Sequence, residues 1–179
     1  MKKNLKSILV IGLMIIVLFT FTGCGKKDEK EDLKSIIYKD EKSGYTLTFK
    51  APKDSKFEVK EEQNTGKFNE MIINNEDLNV SLDIYYVEMT DSSYNSGKEA
   101  RSADEGYKEY KWNKYDGYSY NGDKYSTYFE VYLDNDNSEG MMIGLFGSVE
   151  YINYDNANVL EAFNSDDLQK FLSSMEFSK

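Results

Sequence analysis

Residues 78–87 read Leu78-Asn79-Val80-Ser81-Leu82-Asp83-Ile84-Tyr85-Tyr86-Val87, and the fold class turns on this stretch. Leu78, Val80, Leu82 and Ile84 alternate with Asn79, Ser81 and Asp83. A period of two sends successive side chains to opposite faces of an extended chain, so the stretch is a half-buried β-strand. The same period recurs on both sides. Upstream, Tyr45, Leu47 and Phe49 alternate with Thr46, Thr48 and Lys50 until Pro52, the single proline, ends the run. Phe57 and Val59 mark a short strand, and Met71-Ile72-Ile73 another that closes at Asn74-Asn75. Downstream, Asn121-Gly122 suits the two central positions of a type I′ hairpin turn. The outgoing strand then carries Tyr125, Thr127, Phe129, Val131 and Leu133 on one face, and Met141 to Ile152 supplies the returning strand.

Two helices accompany these strands. Asp91-Ser92-Ser93 opens the first, whose narrow apolar face is Ala100, Ala103, Tyr107 and Tyr110, with Gly97 and Gly106 weakening it. Near the C-terminus Asn164 caps the second. Asp166 and Asp167 suit its positive end, Leu168, Phe171, Leu172 and Met175 form its stripe, and Phe163 staples to Leu168 across the cap. Strands outnumber helices and the hairpins are antiparallel. The expectation is an α+β domain over residues 37–179, an antiparallel sheet of about six to seven strands covered by two main helices.

The amino terminus has a different character. Lys2, Lys3 and Lys6 precede an apolar run from Ile8 to Phe19, and Phe21-Thr22-Gly23-Cys24 leads into the charged segment Gly25-Lys26-Lys27-Asp28-Glu29-Lys30-Glu31-Asp32. A basic start, an apolar stretch and small residues at a peptidase site make a signal peptide. Phe21-Thr22-Gly23-Cys24 resembles the lipobox of bacterial lipoproteins, with Phe21 where that motif prefers leucine. The resemblance implies cleavage between Gly23 and Cys24, diacylglycerol transfer to the Cys24 sulfur and usually a further acyl chain such as palmitate on the new amine. The alternative is an uncleaved anchor, since the uncharged run approaches the ~18 residues of a spanning helix. Either way residues 25–179 lie outside the cytoplasm. The domain scheme is a lipoprotein signal peptide over 1–23, a charged flexible tether over 24–36, and the folded domain after it, with the lipid on Cys24 as the contact with the cell membrane.

Composition excludes several chemistries. The signal peptide holds three lysines and no acid, so the mature chain has 19 basic against 32 acidic residues, a net charge of −13. Such a surface repels nucleic acid. There is no histidine, which removes Ser-His-Asp and Cys-His catalysis and most zinc and copper sites. The single cysteine is committed to lipid, so no disulfide or thiolate nucleophile remains. No cofactor and no catalytic residue is expected. Abundant lysine beside the single Arg101, with frequent Tyr and Asn, fits an AT-rich genome and a Gram-positive type of cell.

Gly44, Tyr45, Leu47, Phe49 and Pro52 at one end, and Leu168, Phe171, Leu172, Ser174, Met175 and Phe177 at the other, resemble the two ends of PsbP-like domains. That resemblance implies an α/β sandwich acting as a binding or assembly module, and it carries over no catalytic residue.

Three constellations remain. Asp134 to Gly140 is rich in oxygen ligands, but counted as an EF-hand it has Glu139 and Leu145 where Gly and Glu are required, so it reads as a hairpin loop and no metal site is expected. Glu61 and Glu62 face opposite sides if extended, which makes Glu58, Glu61 and Glu62 a solvated surface. The aromatic cluster Tyr107, Tyr110, Trp112, Tyr115, Tyr118, Tyr120, Tyr125, Tyr128 and Tyr132 either fills half-buried strand faces or binds a partner, and Trp112, Tyr115, Tyr118 and Tyr120 are the candidate binding residues. A pocket lined by such tyrosines with converging acids would mean ligand binding; a flat aromatic patch would mean a protein partner. The leading expectation is a membrane-anchored, non-enzymatic binding or assembly module. Its rivals are a lipoprotein that binds a sugar, cation or other small solute, and a hydrolase with an unidentified carboxylate site.

Replacing Cys24 with Ala should abolish incorporation of a fatty-acid analogue and leave an unprocessed precursor on a denaturing gel. Continued labelling of that variant would refute lipidation at Cys24.

Overall fold

The computed structural model describes residues 32–41, 44–64, 69–123, 125–134, 142–153 and 159–179. Cys24, the signal peptide and the Asn135–Gly140 part of the acidic loop lie outside them. Among the described residues alternation builds two antiparallel sheets. Seven strands make the larger one: β3 (Phe57–Asn64), β4 (Asn69–Asn75), β5 (Val80–Met89), β6 (Lys108–Trp112), β7 (Tyr115–Asp123), β8 (Ser126–Asp134) and β9 (Met142–Tyr151), in the order β3-β4-β5-β9-β8-β7-β6. The smaller sheet has the order β1-β2-β10, from β1 (Leu33–Lys39), β2 (Thr46–Pro52) and β10 (Glu176–Ser178). Among the described residues there are three helices: α1 (Asp91–Arg101), α2 (Val159–Phe163) and α3 (Asp166–Ser173). The architecture is α+β, and among the described residues no helix is long and apolar enough to cross a membrane.

β5 lies inside the large sheet, between β4 and β9, and its alternation decides which face is buried. Val80, Leu82, Ile84 and Tyr86 point into the main core, while Ser81, Asp83, Tyr85 and Val87 are half-buried on the other face. The core face also carries Trp112, Phe129, Leu145 and Val149. It is covered by the small sheet, through Leu47 and Phe49, and by α2 and α3, through Phe163, Leu168, Phe171 and Leu172. The Phe171 ring stacks on Phe49 at 4.6 Å and on Phe57 at 4.2 Å. A separate cluster of Tyr94, Tyr118 and Tyr120, flanked by Met89, Tyr107, Tyr128 and Tyr132, lies on the opposite face under α1.

Several expectations are corrected. The tether does not extend to residue 36: β1 begins at Leu33, pairs along β2 and buries Ile36, a strand hidden in the sequence because Leu33 and Ile37 stay exposed. The layer over the large sheet is half sheet, not two helices alone. The first helix stops at Arg101, and Ala100 and Ala103 are exposed. Its cap is Thr90, which exchanges hydrogen bonds with Ser93. Tyr107 and Tyr110 are not helical, because Gly106 takes φ +71 and turns the chain back into β6.

The hairpin turn is displaced as well. Asn121 and Gly122 belong to β7, where the register slips between Asn121 and Asp123 before Asp123 pairs with Ser126. Gly122 serves close approach, since a Cβ there would lie 2.0 Å from the Tyr128 ring. Leu78 lies in the turn before β5, where Asn79 has φ 56, and Val59 is 40 % exposed on the edge strand β3. Ser165, not Asn164, caps α3 by accepting from the Leu168 N–H, which moves the expected staple out of position by one residue. The closing stripe is buried as expected, Leu168, Phe171, Leu172 and Met175 all at 2 % exposure or less.

Truncating Phe171 to Ala should cost ~3–5 kcal/mol, the range for a buried phenylalanine. Urea unfolding would read it as a lowered midpoint, and an unchanged midpoint would place this ring outside the core.

Candidate functional site

All four candidate binding residues are buried, and the strand pleat divides them. Trp112 and Tyr115 belong to the main core, and Tyr118 and Tyr120 to the cluster under α1. Trp112 donates its indole N–H to Gln169 Oε1 at 3.0 Å and packs edge-on to Phe129. The Tyr115 hydroxyl accepts from the Phe177 N–H at 2.9 Å, which ties β7 to β10. These two side chains fasten the covering layer. As an exposed stacking patch, the group Trp112, Tyr115, Tyr118 and Tyr120 does not exist.

The other face of β7 holds a different arrangement. On α1, Tyr94, Gly97, Lys98 and Arg101 follow helical spacing and form the face turned toward the sheet. Tyr94 packs against Tyr118 and Tyr132, with ring centroids at 5.5 and 5.4 Å. The Arg101 guanidinium lies 4.5 Å from the Tyr120 ring centroid. Gly97 admits this close approach, because a Cβ there would sit 3.0 Å from the Tyr118 hydroxyl. Lys98 Nζ reaches Glu109 Oε2 on β6 at 2.6 Å. Glu109 Oε1 also accepts from the Tyr107 hydroxyl at 3.0 Å.

Between α1 and the β6–β7 hairpin these residues leave a cleft of about 260 Å³, lined by Tyr94, Asn95, Lys98, Glu109, Tyr110, Asp116, Gly117 and Tyr132. Its walls offer a lysine ammonium, two carboxylates, an amide and the side chains of Tyr94 and Tyr132, while the Tyr110 ring turns to the other face and stacks on Trp112. Tyr94 is 7 % exposed, and its hydroxyl is buried without a hydrogen-bond partner. Such a group costs ~1–3 kcal/mol unless something pairs with it. Burial first, and then Asp116, Glu130 and Glu109 nearby, push its pKa up, so the hydroxyl keeps its proton at neutral pH. The Lys98 hydrogen bond, followed by that from Tyr107, holds Glu109 below the usual carboxylate range. The cleft therefore presents fixed donors and ionised acceptors.

The sequence reading missed Tyr94, Asn95, Lys98, Glu109 and Asp116 as a set. One signal was present: Tyr94 and Lys98 share a helical face, and in the β6–β7 hairpin Glu109 pairs with Tyr118 while Lys111 pairs with Asp116.

Beyond α1 the same sheet face continues as Tyr128, Phe146 and Tyr85, with Phe146 5.7 Å from Tyr128 and 5.1 Å from Tyr85. Asp83 and Glu130 stand among them. Burial pushes the Glu130 carboxyl up. The Tyr118 hydroxyl is near enough to moderate that rise, yet it makes no bond of full hydrogen-bonding geometry. Burial, then the charges of Glu70 and Glu150, push Asp83 up to about 6. A second cleft of about 330 Å³ is lined by Tyr38, Glu41, Glu62, Asn69 and Glu70, where the Tyr38 hydroxyl is already satisfied by the Asn69 carbonyl. Among the described residues no group of three or more His, Cys, Asp or Glu is placed to hold a metal ion.

Comparison with protein-family models, with curated proteins and with solved structures finds no match for this chain.

Asp83 gives a signed pH prediction. Its carboxyl titrates near 6 when folded, against 3.8 otherwise, so the native state binds more protons between those values. This group's contribution to stability therefore falls as pH rises through that window. Asp83→Asn should stabilise the protein at pH 7 by on the order of 1–2 kcal/mol, a figure discounted for the carboxyl's remaining solvent contact. The gain should vanish below pH 4. A variant less stable than the wild-type protein at pH 7 would contradict the assignment.

Proposed function

We propose that this chain is a lipid-anchored binding module of PsbP-like form on the outer face of the cell membrane, and that it captures a small ligand. The observation that carries this reading is the cleft under α1. Tyrosines and converging acids meet there around a buried hydroxyl with no partner. Small-molecule sites are concave and hold their ligand through placed polar groups, and this cleft is concave with a mainly polar lining. A flat aromatic patch would have favoured a protein partner instead, but the four aromatic candidates are packed inside.

Catalysis has less support. Chemistry at neutral pH calls for a titrating group tuned to that range beside the reacting atoms. In the cleft Tyr94 is pushed up and Glu109 is held down, so both stay in one ionisation state there. The lipobox-like Phe21-Thr22-Gly23-Cys24 supports the anchor, and the mature charge of −13 argues against nucleic acid and anionic lipid as ligands.

A thermal-shift screen of the full chain against a library of small solutes tests this reading. A ligand that binds only the native state raises the melting temperature by mass action. At least one solute should do so for the wild-type protein and not for a Lys98→Ala, Asp116→Ala double variant. If no solute shifts the melting curve while membrane pull-downs retain a stable protein partner, small-ligand capture is refuted.

A further inference from the structure

We infer that the cleft between α1 and the β6–β7 hairpin is built for one neutral, polyhydroxylated ring, a monosaccharide or a cyclic polyol. The inference rests on the cleft being a ligand site, and it names the class of ligand. Charge is the first argument. Three side chains in the wall carry charge, and each is already compensated. Lys98 pairs with Glu109 at 2.6 Å, and Asp116 pairs with Lys111 at 3.3 Å. A charged ligand would find no unpaired opposite charge in this wall, so nothing there selects for charge.

A hydroxylated ligand suits this wall, because each hydroxyl both donates and accepts. The Glu109 and Asp116 carboxylates can accept from it, the Lys98 ammonium can donate to it, and the Asn95 amide can do both. The buried Tyr94 hydroxyl is the second argument. It is a donor and acceptor inside a folded domain with nothing to bond, and it belongs to a side chain that lines this cleft. The hydroxyl is sealed from the empty cleft, so a ligand hydroxyl satisfies it by displacing what covers it.

Size and shape supply the third argument. At about 260 Å³ the cleft is below the ~300 Å³ at which drug-sized pockets begin, so it admits a single small ring. The rings of Tyr94 and Tyr132 give flat faces for the C–H side of such a ring.

Titration of the full chain in detergent with glucose, N-acetylglucosamine and myo-inositol, monitored by saturation-transfer NMR, tests the inference, with spermidine and inorganic phosphate as charged probes. At least one neutral ring should bind. Its affinity should fall at least tenfold in both Tyr94→Phe and Asp116→Asn, and Tyr94→Phe without ligand should melt no lower than wild type, because the hydroxyl it removes has no partner. No binding by any neutral ring, equal binding by both variants, or saturable binding of a charged probe lost in the same variants would overturn the inference. If the neutral rings fail while another solute class shifts the wild-type melting curve and not that of the cleft variant, the ligand class is wrong and the binding site stands. If nothing shifts it, the site itself is refuted.

Discussion

The Phe171 ring lies between Phe49 of the small sheet and Phe57 at the start of the large one, 4.6 and 4.2 Å away. Two consecutive strands, β2 and β3, meet in that stack with a helix from the far end of the chain. The rest of the fold depends on it, because with no histidine and one cysteine the chain must be held by packing. It seats α3, which brings Leu168 and Leu172 onto the core face and delivers the C-terminal strand β10 to β2. Ser174 reinforces the junction by donating to the Lys50 carbonyl and accepting from the Lys50 N–H. With one face of the large sheet sealed in this way, the other is left for α1 and the cleft.

The cleft follows from the pleat of β7. Tyr115 turns to the core and fixes β10, whereas Tyr118 and Tyr120 turn outward and form the floor on which α1 rests. Gly97 lets the helix descend onto Tyr118, and the Lys98–Glu109 pair joins its side to the edge strand β6. An exposed ion pair contributes ~0–1 kcal/mol, so its main effect is to orient the groups around the opening. An unsatisfied Tyr94 hydroxyl opposes folding of the empty protein. That is the expected compromise at a binding site, where local consistency yields to function.

The strongly alternating strands were legible because a period of two is written directly in residues such as Val80, Leu82 and Ile84. The closing helix was legible from Leu168, Phe171 and Leu172. What stayed hidden was decided by tertiary partners. β1 buries only Ile36 and Tyr38 of its seven residues, and β10 is three residues long, so neither carries a readable pattern. Asn121-Gly122 has the chemistry of a turn, yet the Tyr128 ring against Gly122 moves the reversal onward. The inward side of α1 reads Tyr94, Gly97, Lys98 and Arg101, which is polar by composition and faces inward only because tyrosines and Glu109 receive it. The cleft was hidden for the same reason, since Tyr94 and Asp116 are brought together only by the docking of that helix.

The most direct test of the account is a map of backbone amide shifts in the isotopically labelled full chain during titration with a neutral monosaccharide. The account predicts that the largest changes fall on Asn95, Lys98, Glu109 and Gly117, around the buried Tyr94 hydroxyl. Changes centred instead on Asp83, Phe146 and Ser148, or on Tyr38 and Glu62, would contradict it, as would a spectrum that does not change.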